Sequence, residues 1–436
     1  MRTLISKRQA GFRFKQILEQ PRRRRQIPGA KDKDGIYRTS RSEVAEVFAR
    51  FYEALYDAPA TQTTSEAANG SVDEDVSQIR SFIQKALKRM KSGKGCADDG
   101  MVAEMLKACS GEMLTAIAHL FAELLSGEAM PPEQWRITKL VVLFKKGDAS
   151  LPKNYRPIAM IPVLCKLYSS VILQRIKGTI DPQRLPEEMG FREEYSCSDL
   201  IHTLRTTGEK CLEWGETIWM ASLDLEKAFD KVLHSALYEG LRKSGVSERD
   251  IAAIRNLYTS QFSFVQLDPT LRSRYFQILR GVRQGDPMSP CLFACTLRGA
   301  MCRLKRKWEA LGCGTIVGSN ANAADRLSFV MFADDTTLIA RSKRVLRNML
   351  RDIHEELDRL GLNLNADKCK IQCTGRKTNR ESVLEMKSLK FPIVSCSDGF
   401  RVLGTMFTLD GATHVEFKER LSAGWANFYP HTAFVA

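Results

Sequence analysis

The stretch RLSFVMFADDTTLIA, residues 326–340, sets two apolar runs, Leu327 to Ala333 and Thr336 to Ala340, on either side of Asp334 and Asp335. Almost no spacer separates the runs, so they read as a tight β-hairpin carrying two acids at its turn. Adjacent anions beside apolar strands repel each other, and the arrangement is costly unless a cation is present. Upstream, TIWMASLDLEKAFD (217–230) reads as a strand over 217–223, with Asp224 where it gives way to a helical stretch from about Glu226 to Arg242. Taken alone, Asp224 reads as a helix N-cap. Three carboxylates converging from a strand end and a hairpin turn would hold two Mg²⁺ ions, or Mn²⁺ in their place, about 3.5–4 Å apart. That arrangement stabilises both the attacking and the leaving oxygen in phosphoryl or nucleotidyl transfer. Spacing does not reveal the convergence, and a solvated acidic turn stays open beside it.

The rest of the chain bounds what such a site could serve. Of 436 residues, 44% are apolar and 27% charged, enough for the core of two or three domains and incompatible with a wholly disordered chain. Lys and Arg number 66 against 51 Asp and Glu, and the net charge of +15 attracts a polyanion. No stretch has the roughly 18 uncharged apolar residues of a spanning helix. The best, Ile158 to Leu173, is broken by Pro162 and Lys166, so no membrane partner is expected. The N-terminus lacks the apolar core of a secretory signal. Twelve cysteines without such a signal point to reduced thiols in an intracellular compartment. Cys291/Cys295 and Cys369/Cys373 are each four apart, but neither pair has the second pair a zinc site needs.

Residues 1–25 carry nine Lys or Arg, including Arg22 to Arg25, and one acid, Glu19; the run reads as a basic arm for a phosphate backbone or as a solvated tail. Val44, Val47, Phe48, Phe51, Leu55 and Tyr56 fall at helical spacing behind a Ser40 cap. Residues 57–77 read as a linker. Helices are expected over 79–90, 101–108, 113–125 and 161–176, with a strand over 139–144. Strands separated by helices of unequal length give an α+β class rather than a regular doubly wound sheet. In GVRQGDPMSP (281–290), two glycines and two prolines surround Gln284, so the backbone turns sharply and can approach a ligand closely. Lys139, Lys145, Lys146 and Arg156 are cations that would suit a triphosphate or sit solvated.

Six segments occur in one order: NYRPIAMIPVLCKLYSSVILQRI (154–176), LDLEKAFDKV (223–232), GVRQGDPMSPCLF (281–293), FADD (332–335), LNLNADKCKI (362–371) and RVLGTMF (401–407). Together they resemble a reverse transcriptase, most of all those of non-LTR (LINE-type) retrotransposons. The resemblance implies a right-hand polymerase fold whose fingers and palm hold an antiparallel sheet packed on helices. It implies an RNA-directed DNA polymerase taking an RNA template, a DNA primer and dNTPs. It makes Asp224, Asp334 and Asp335 the metal carboxylates, with the Leu225 carbonyl as a further ligand. Phe229 becomes the gate that excludes a 2′-hydroxyl, where the residues alone give a core phenylalanine. Gln284 and Gly285 become contacts to template and nucleotide, as do Lys139, Lys145 and Arg156 to the triphosphate. Lys368 would stand near the leaving pyrophosphate, and Leu403 and Gly404 would form the primer-grip turn.

Fingers and palm are then expected over 135–411, a helical extension over 78–134, a linker over 57–77, an arm and helix over 1–56 and the start of a thumb over 412–436. The short C-terminal remainder predicts a mostly missing thumb and a truncated element. LPEEMGFREEYSC (185–197) departs from the pattern, because Glu188, Glu193 and Glu194 would repel a phosphate backbone if they faced it. A truncated, catalytically impaired nucleic-acid-binding remnant is therefore the alternative, and RNA-directed RNA synthesis a third reading. A nuclear site of action would suit a retroelement. Oligomeric state is not readable.

Overall fold

Strands buried on both faces read as unbroken apolar runs, which is why FVMF and TLIA show no polar alternation. In the computed structural model, which describes residues 27–58, 74–127, 129–268, 270–317, 326–374, 382–411 and 413–432, they form the middle of a layered unit. Phe329–Phe332, Asp335–Ala340, Trp219–Leu223 and Lys370–Cys373 lie side by side in that order, antiparallel throughout. Ala221, Leu223, Phe329, Met331, Leu338 and Ile371 join one core with the helices Val163–Ile180, Ser289–Ala310 and Lys343–Arg359. Met220, Val330 and Ile339 turn the other way, onto the helix Cys197–Glu213 and the hairpin Phe400–Val402/Thr405–Phe407.

A second sheet is built on Ile137–Phe144, paired antiparallel with Tyr155–Met160 and parallel with Gln261–Asp268. The helix Arg41–Tyr56 covers one face of it, burying Val44, Phe48 and Tyr52 against Leu140, Ala159 and Val265. Phe48 meets Tyr155 edge-on at 5.0 Å. This helix is thus part of the sheet's core. Helices Val76–Arg89 and Gly111–Ser126 pack on Val163–Ile180 and Glu248–Tyr258. The last described element is the helix His414–Thr432. Among the described residues, no helix is long and apolar enough to cross a membrane. The arm over 1–25 and most of the linker, residues 59–73, lie outside the described residues.

Three expectations need correction. The single helix from Glu226 to Arg242 is two, Ala228–Lys231 and His234–Lys243. Val232 and Leu233 between them are extended, and their backbone groups are used elsewhere: the Gly281 N–H donates to Val232 O (2.7 Å) and the Leu233 N–H to Leu360 O (3.0 Å). Ser40 precedes its helix but makes no side-chain cap; its hydroxyl pairs with that of Ser42 at 3.0 Å. Glu188 does not face a phosphate backbone. It is 1% exposed, and its carboxylate takes two bonds from Arg298, at 2.8 and 3.0 Å, and one from Arg184. Glu193 and Glu194 are exposed, and Glu193 pairs with Lys177 at 2.6 Å.

Candidate active site

Register brings the three aspartates together. Thr336 pairs with Leu223, so Asp335, one residue earlier, stands opposite Asp224, one residue later. Phe332 pairs with Asp335, which makes Ala333 and Asp334 the two-residue turn and Asp335 the first strand residue rather than a second turn acid. Ala333 adopts a positive φ of 58°, a conformation that costs an L-residue energy and is held by its surroundings. Those surroundings include the segment 187–190. The Met331 N–H donates to Glu187 O and the Met189 N–H to Met331 O, both at 2.9 Å, so the segment runs along the free edge of the hairpin.

Each acid answers its surroundings. Burial raises the Asp335 carboxyl to about 6, and the charges of Asp334 and Asp224 push the same way. Burial also raises Asp334, with Asp224 adding to the effect and Arg156 and Lys145 opposing it. Lys368 Nζ stands 2.9 Å from Asp224 Oδ2, an ammonium where positive charge is wanted. The Asp224 N–H donates to Cys369 Sγ at 3.4 Å, and burial pushes that thiol up to about 11, so it is a neutral brace behind the aspartate.

Leu225 sits in a bridge with Leu364 in which the Glu226 N–H donates to Asn363 O and the Asn365 N–H to Asp224 O. In that pattern the Leu225 carbonyl points away from its bridge partner, to the opposite side. The donor set is therefore carboxylate and carbonyl oxygen, hard ligands that fit Mg²⁺ or Mn²⁺. The placement of the largely buried Asp335 beside Asp224 and Asp334, three acids on adjoining backbone positions, is the observation that a cation fits there. Among the described residues, no three His, Cys, Asp or Glu side chains close into a ready-made cage. Mg²⁺ usually takes one or two carboxylates and completes its shell with water and phosphate.

The other expected residues divide. Lys145, just past the strand Ile137–Phe144, and Arg156, in Tyr155–Met160, act on the aspartates' titration. Lys139 is not brought to them: it pairs with Asp98 at 2.8 Å and lines a cavity of about 530 Å³ with Met160, Phe264 and Tyr275. Phe229 lies half-buried in Ala228–Lys231 and stacks on Phe293, centroids 4.6 Å apart. Gln284 donates from Nε2 to Asp230 Oδ1 at 3.0 Å, and its carbonyl accepts from the Ala159 N–H at 2.8 Å. Gly285 has φ 117°. Leu403 and Gly404 form a two-residue hairpin turn, both at positive φ (50° and 81°).

Sequence reasoning missed Asp230, which is 3% exposed, and Lys227, whose Nζ lies 4.1 Å above the Phe51 ring. Two acids and two lysines interleaved with Ala228, Phe229 and Val232 in EKAFDKV were the available signal. Burial raises Asp230 to about 6 and lowers Lys227 to about 8.

A family model described as "Reverse transcriptase (RNA-dependent DNA polymerase)" matches residues 144–407. The chain is 29% identical over 286 residues to the Pol polyprotein of the type-2 retrotransposable element R2DM of Drosophila melanogaster, covering 64% of this chain and 26% of that protein. It is 26% identical to the Pol polyprotein of the type-1 element R2 of Popillia japonica, covering 76% and 45%. To the RNA-directed DNA polymerase from mobile element jockey of Drosophila funebris it is 24% identical, covering 77% and 37%. The chain thus spans less than half the length of these curated relatives. Among solved structures, apo telomerase from Candida tropicalis, truncated from its C-terminal domain, aligns with a TM-score of 0.44 at 14% identity, covering 61% of this chain and 54% of that one.

Proposed function

We propose that this chain, which belongs to the reverse transcriptase (RNA-dependent DNA polymerase) family, extends the 3′-hydroxyl of a DNA primer along an RNA template with dNTPs, as in a non-LTR retrotransposon. The observation that carries the proposal is the register that sets Asp335 opposite Asp224, with Asp334 in the adjoining turn.

Asp224, Asp334, Asp335 and the Leu225 carbonyl would hold divalent cations, Mg²⁺ or Mn²⁺. Bound there, such cations lower the pKa of the primer hydroxyl and offset charge on the α-phosphate and the pyrophosphate. In the reaction the primer O3′ bonds to the α-phosphorus, the bond from that phosphorus to the bridging oxygen of pyrophosphate breaks, and the hydroxyl proton passes to solvent water. Lys145 and Arg156 meet the triphosphate. Phe229 bounds the sugar, and Gln284 with Gly285 bounds the nascent base pair. Lys368 holds Asp224 in place and is positioned to give a proton to the departing pyrophosphate. Leu403 and Gly404 lie at the turn expected to meet the primer. A retroelement enzyme of this kind would act in the nucleus.

The test is incorporation of labelled dTTP on poly(rA) primed with oligo(dT), with and without Mg²⁺, and with Asp335→Asn as control. Mg²⁺-dependent synthesis that the control loses supports the proposal. Absence of synthesis alongside tight, salt-sensitive RNA binding overturns it in favour of a binding remnant.

A further inference from the structure

We infer that Tyr56, at the end of the N-terminal helix, is a positioning residue for nucleotide selection that acts through Asp230 on the amide of Gln284. The inference rests on the reverse-transcriptase reading above and extends it to a helix outside the six sequence motifs.

One oxygen joins three parts of the chain. Asp230 Oδ1 accepts from Tyr56 Oη at 3.1 Å and from Gln284 Nε2 at 3.0 Å, in a site where Asp230 is 3% and Tyr56 5% exposed. Hydrogen bonds to a buried carboxylate are among the stronger ones in a protein, and a buried acceptor that loses a donor must reorient or take a proton. The phenol is a dependable donor, because burial and the Asp230 charge keep it protonated far above its ordinary range.

An amide has one acceptor oxygen and two N–H donors. With one N–H given to Asp230, the orientation of the remaining pair follows from that bond. The Gln284 main chain is fixed separately, through its carbonyl to Ala159, so Asp230 sets where the side chain points.

The same helix end holds the rest of this region. The Leu279 N–H donates to Tyr56 O at 3.1 Å and Arg280 Nε to Leu55 O at 2.9 Å, just before the Gly281–Gly285 turn. The Val282 N–H donates to Phe229 O at 2.7 Å, so the turn and the short helix bearing the sugar-gate candidate move together. Gly281 is the contact that allows this: with φ 88°, a Cβ there would meet Asp230 O at 2.6 Å. Phe51, on the same helix, lies beneath the Lys227 ammonium. An element outside the motifs therefore grips both sides of the nucleotide site.

The experiment uses the full chain and measures KM and kcat for dTTP on poly(rA)·oligo(dT), with thermal midpoints, for Tyr56→Phe, Gln284→Ala and the double variant. Tyr56→Phe keeps the ring and its stack on Tyr52 at 6.2 Å, so folding is retained. The expected result is a rise in KM of roughly tenfold with a smaller change in kcat. In the Gln284→Ala background the same substitution should add nothing, since it acts through that amide. Asp230→Asn, which keeps the acceptor oxygen but not the charge, should raise KM in the same direction and again only when Gln284 is present. An unchanged KM in Tyr56→Phe, or an equal effect in both backgrounds, overturns the inference while wild-type synthesis leaves the family reading standing. No synthesis by the wild type overturns both.

Discussion

Gly190 is seated on the backbone of Ala333. A Cβ added to it would stand 2.9 Å from the carbonyl carbon of Phe332 and closer still to the Ala333 amide nitrogen. Ala333 is the left-handed residue of the turn that carries Asp334, so the glycine and that turn share one fitted surface.

Gly190→Ala should therefore displace the turn. Overpacking of this kind typically costs about 1–3 kcal/mol, and an error of about 1 Å at reacting groups can cost on the order of 100-fold in rate. A modest fall in thermal midpoint with a loss of primer extension of that order is expected. Extension at wild-type rates would show that the hairpin tolerates the methyl group and is not held by this contact.

Glu188 and Arg298 test the same support from beneath. Their pair is 2–3% exposed, and removing Arg298 leaves the buried Glu188 carboxylate only the longer bond from Arg184, at 3.3 Å, at a cost of up to about 3–5 kcal/mol. Arg298→Met should show that loss in urea denaturation. Arg298→Met combined with Glu188→Gln should recover much of it, because the buried carboxylate is then gone and Arg184 keeps its pair with Asp181 at 2.9 Å.

Glu188 also shows how far the sequence carries. The aspartates were legible because acids between apolar runs are rare and expensive, and the order of the six segments supplied the rest. What Glu188 touches was not legible: its partner, Arg298, lies 110 residues away on another helix, and nothing local distinguishes a paired buried acid from a solvated one. The break at Val232–Leu233 was hidden for a similar reason. Both are apolar residues that suit a helix, and only the distant partners at Gly281 and Leu360 draw their backbone out of it. The partner of Lys139 was not legible either, because a lysine on a strand gives no sign of the acid, Asp98, that pairs with it 41 residues away.

Asp230 gives a pH dependence whose sign is fixed by its burial. Its folded value of about 6 lies above the roughly 3.9 of an unfolded aspartate, so between the two the folded chain holds the extra proton. Its contribution to stability is therefore best at low pH and is lost as pH rises through about 6. Asp230→Asn should be more stable than wild type at pH 8, by up to roughly 3 kcal/mol, with the difference vanishing near pH 4. Equal denaturation midpoints at both pH values would mean that the carboxylate is better solvated or paired than its burial implies.

Lys368 separates catalysis from stability. The pair with Asp224 is about half exposed on the lysine side, and such pairs contribute less than about 1 kcal/mol to folding. Lys368→Ala should leave the melt almost unchanged while extension falls by roughly 10²- to 10⁴-fold, the usual range for a lost general acid. Lys368→Arg restores the charge but hardly gives up a proton, so it should recover dTTP binding more than turnover. Full activity of Lys368→Ala would take the residue out of the reaction.

Phe229 is the residue proposed to bound the sugar. Its ring is pinned face to face on Phe293 by an interplanar angle of only 19°, so it cannot swing away to admit a larger sugar without breaking that stack. Phe229→Ala removes the wall while leaving the aspartates and their register untouched. The variant should incorporate ribonucleotides far better relative to deoxynucleotides, and the ratio of kcat/KM for rUTP and dTTP on the same primed poly(rA) measures it. Aromatic stacking and burial also support this helix, so some loss of stability accompanies the change. The ratio is insensitive to that loss, because both substrates meet the same folded fraction. An unchanged ratio would make Phe229 a core residue of the helix and move the search for sugar discrimination to its neighbours.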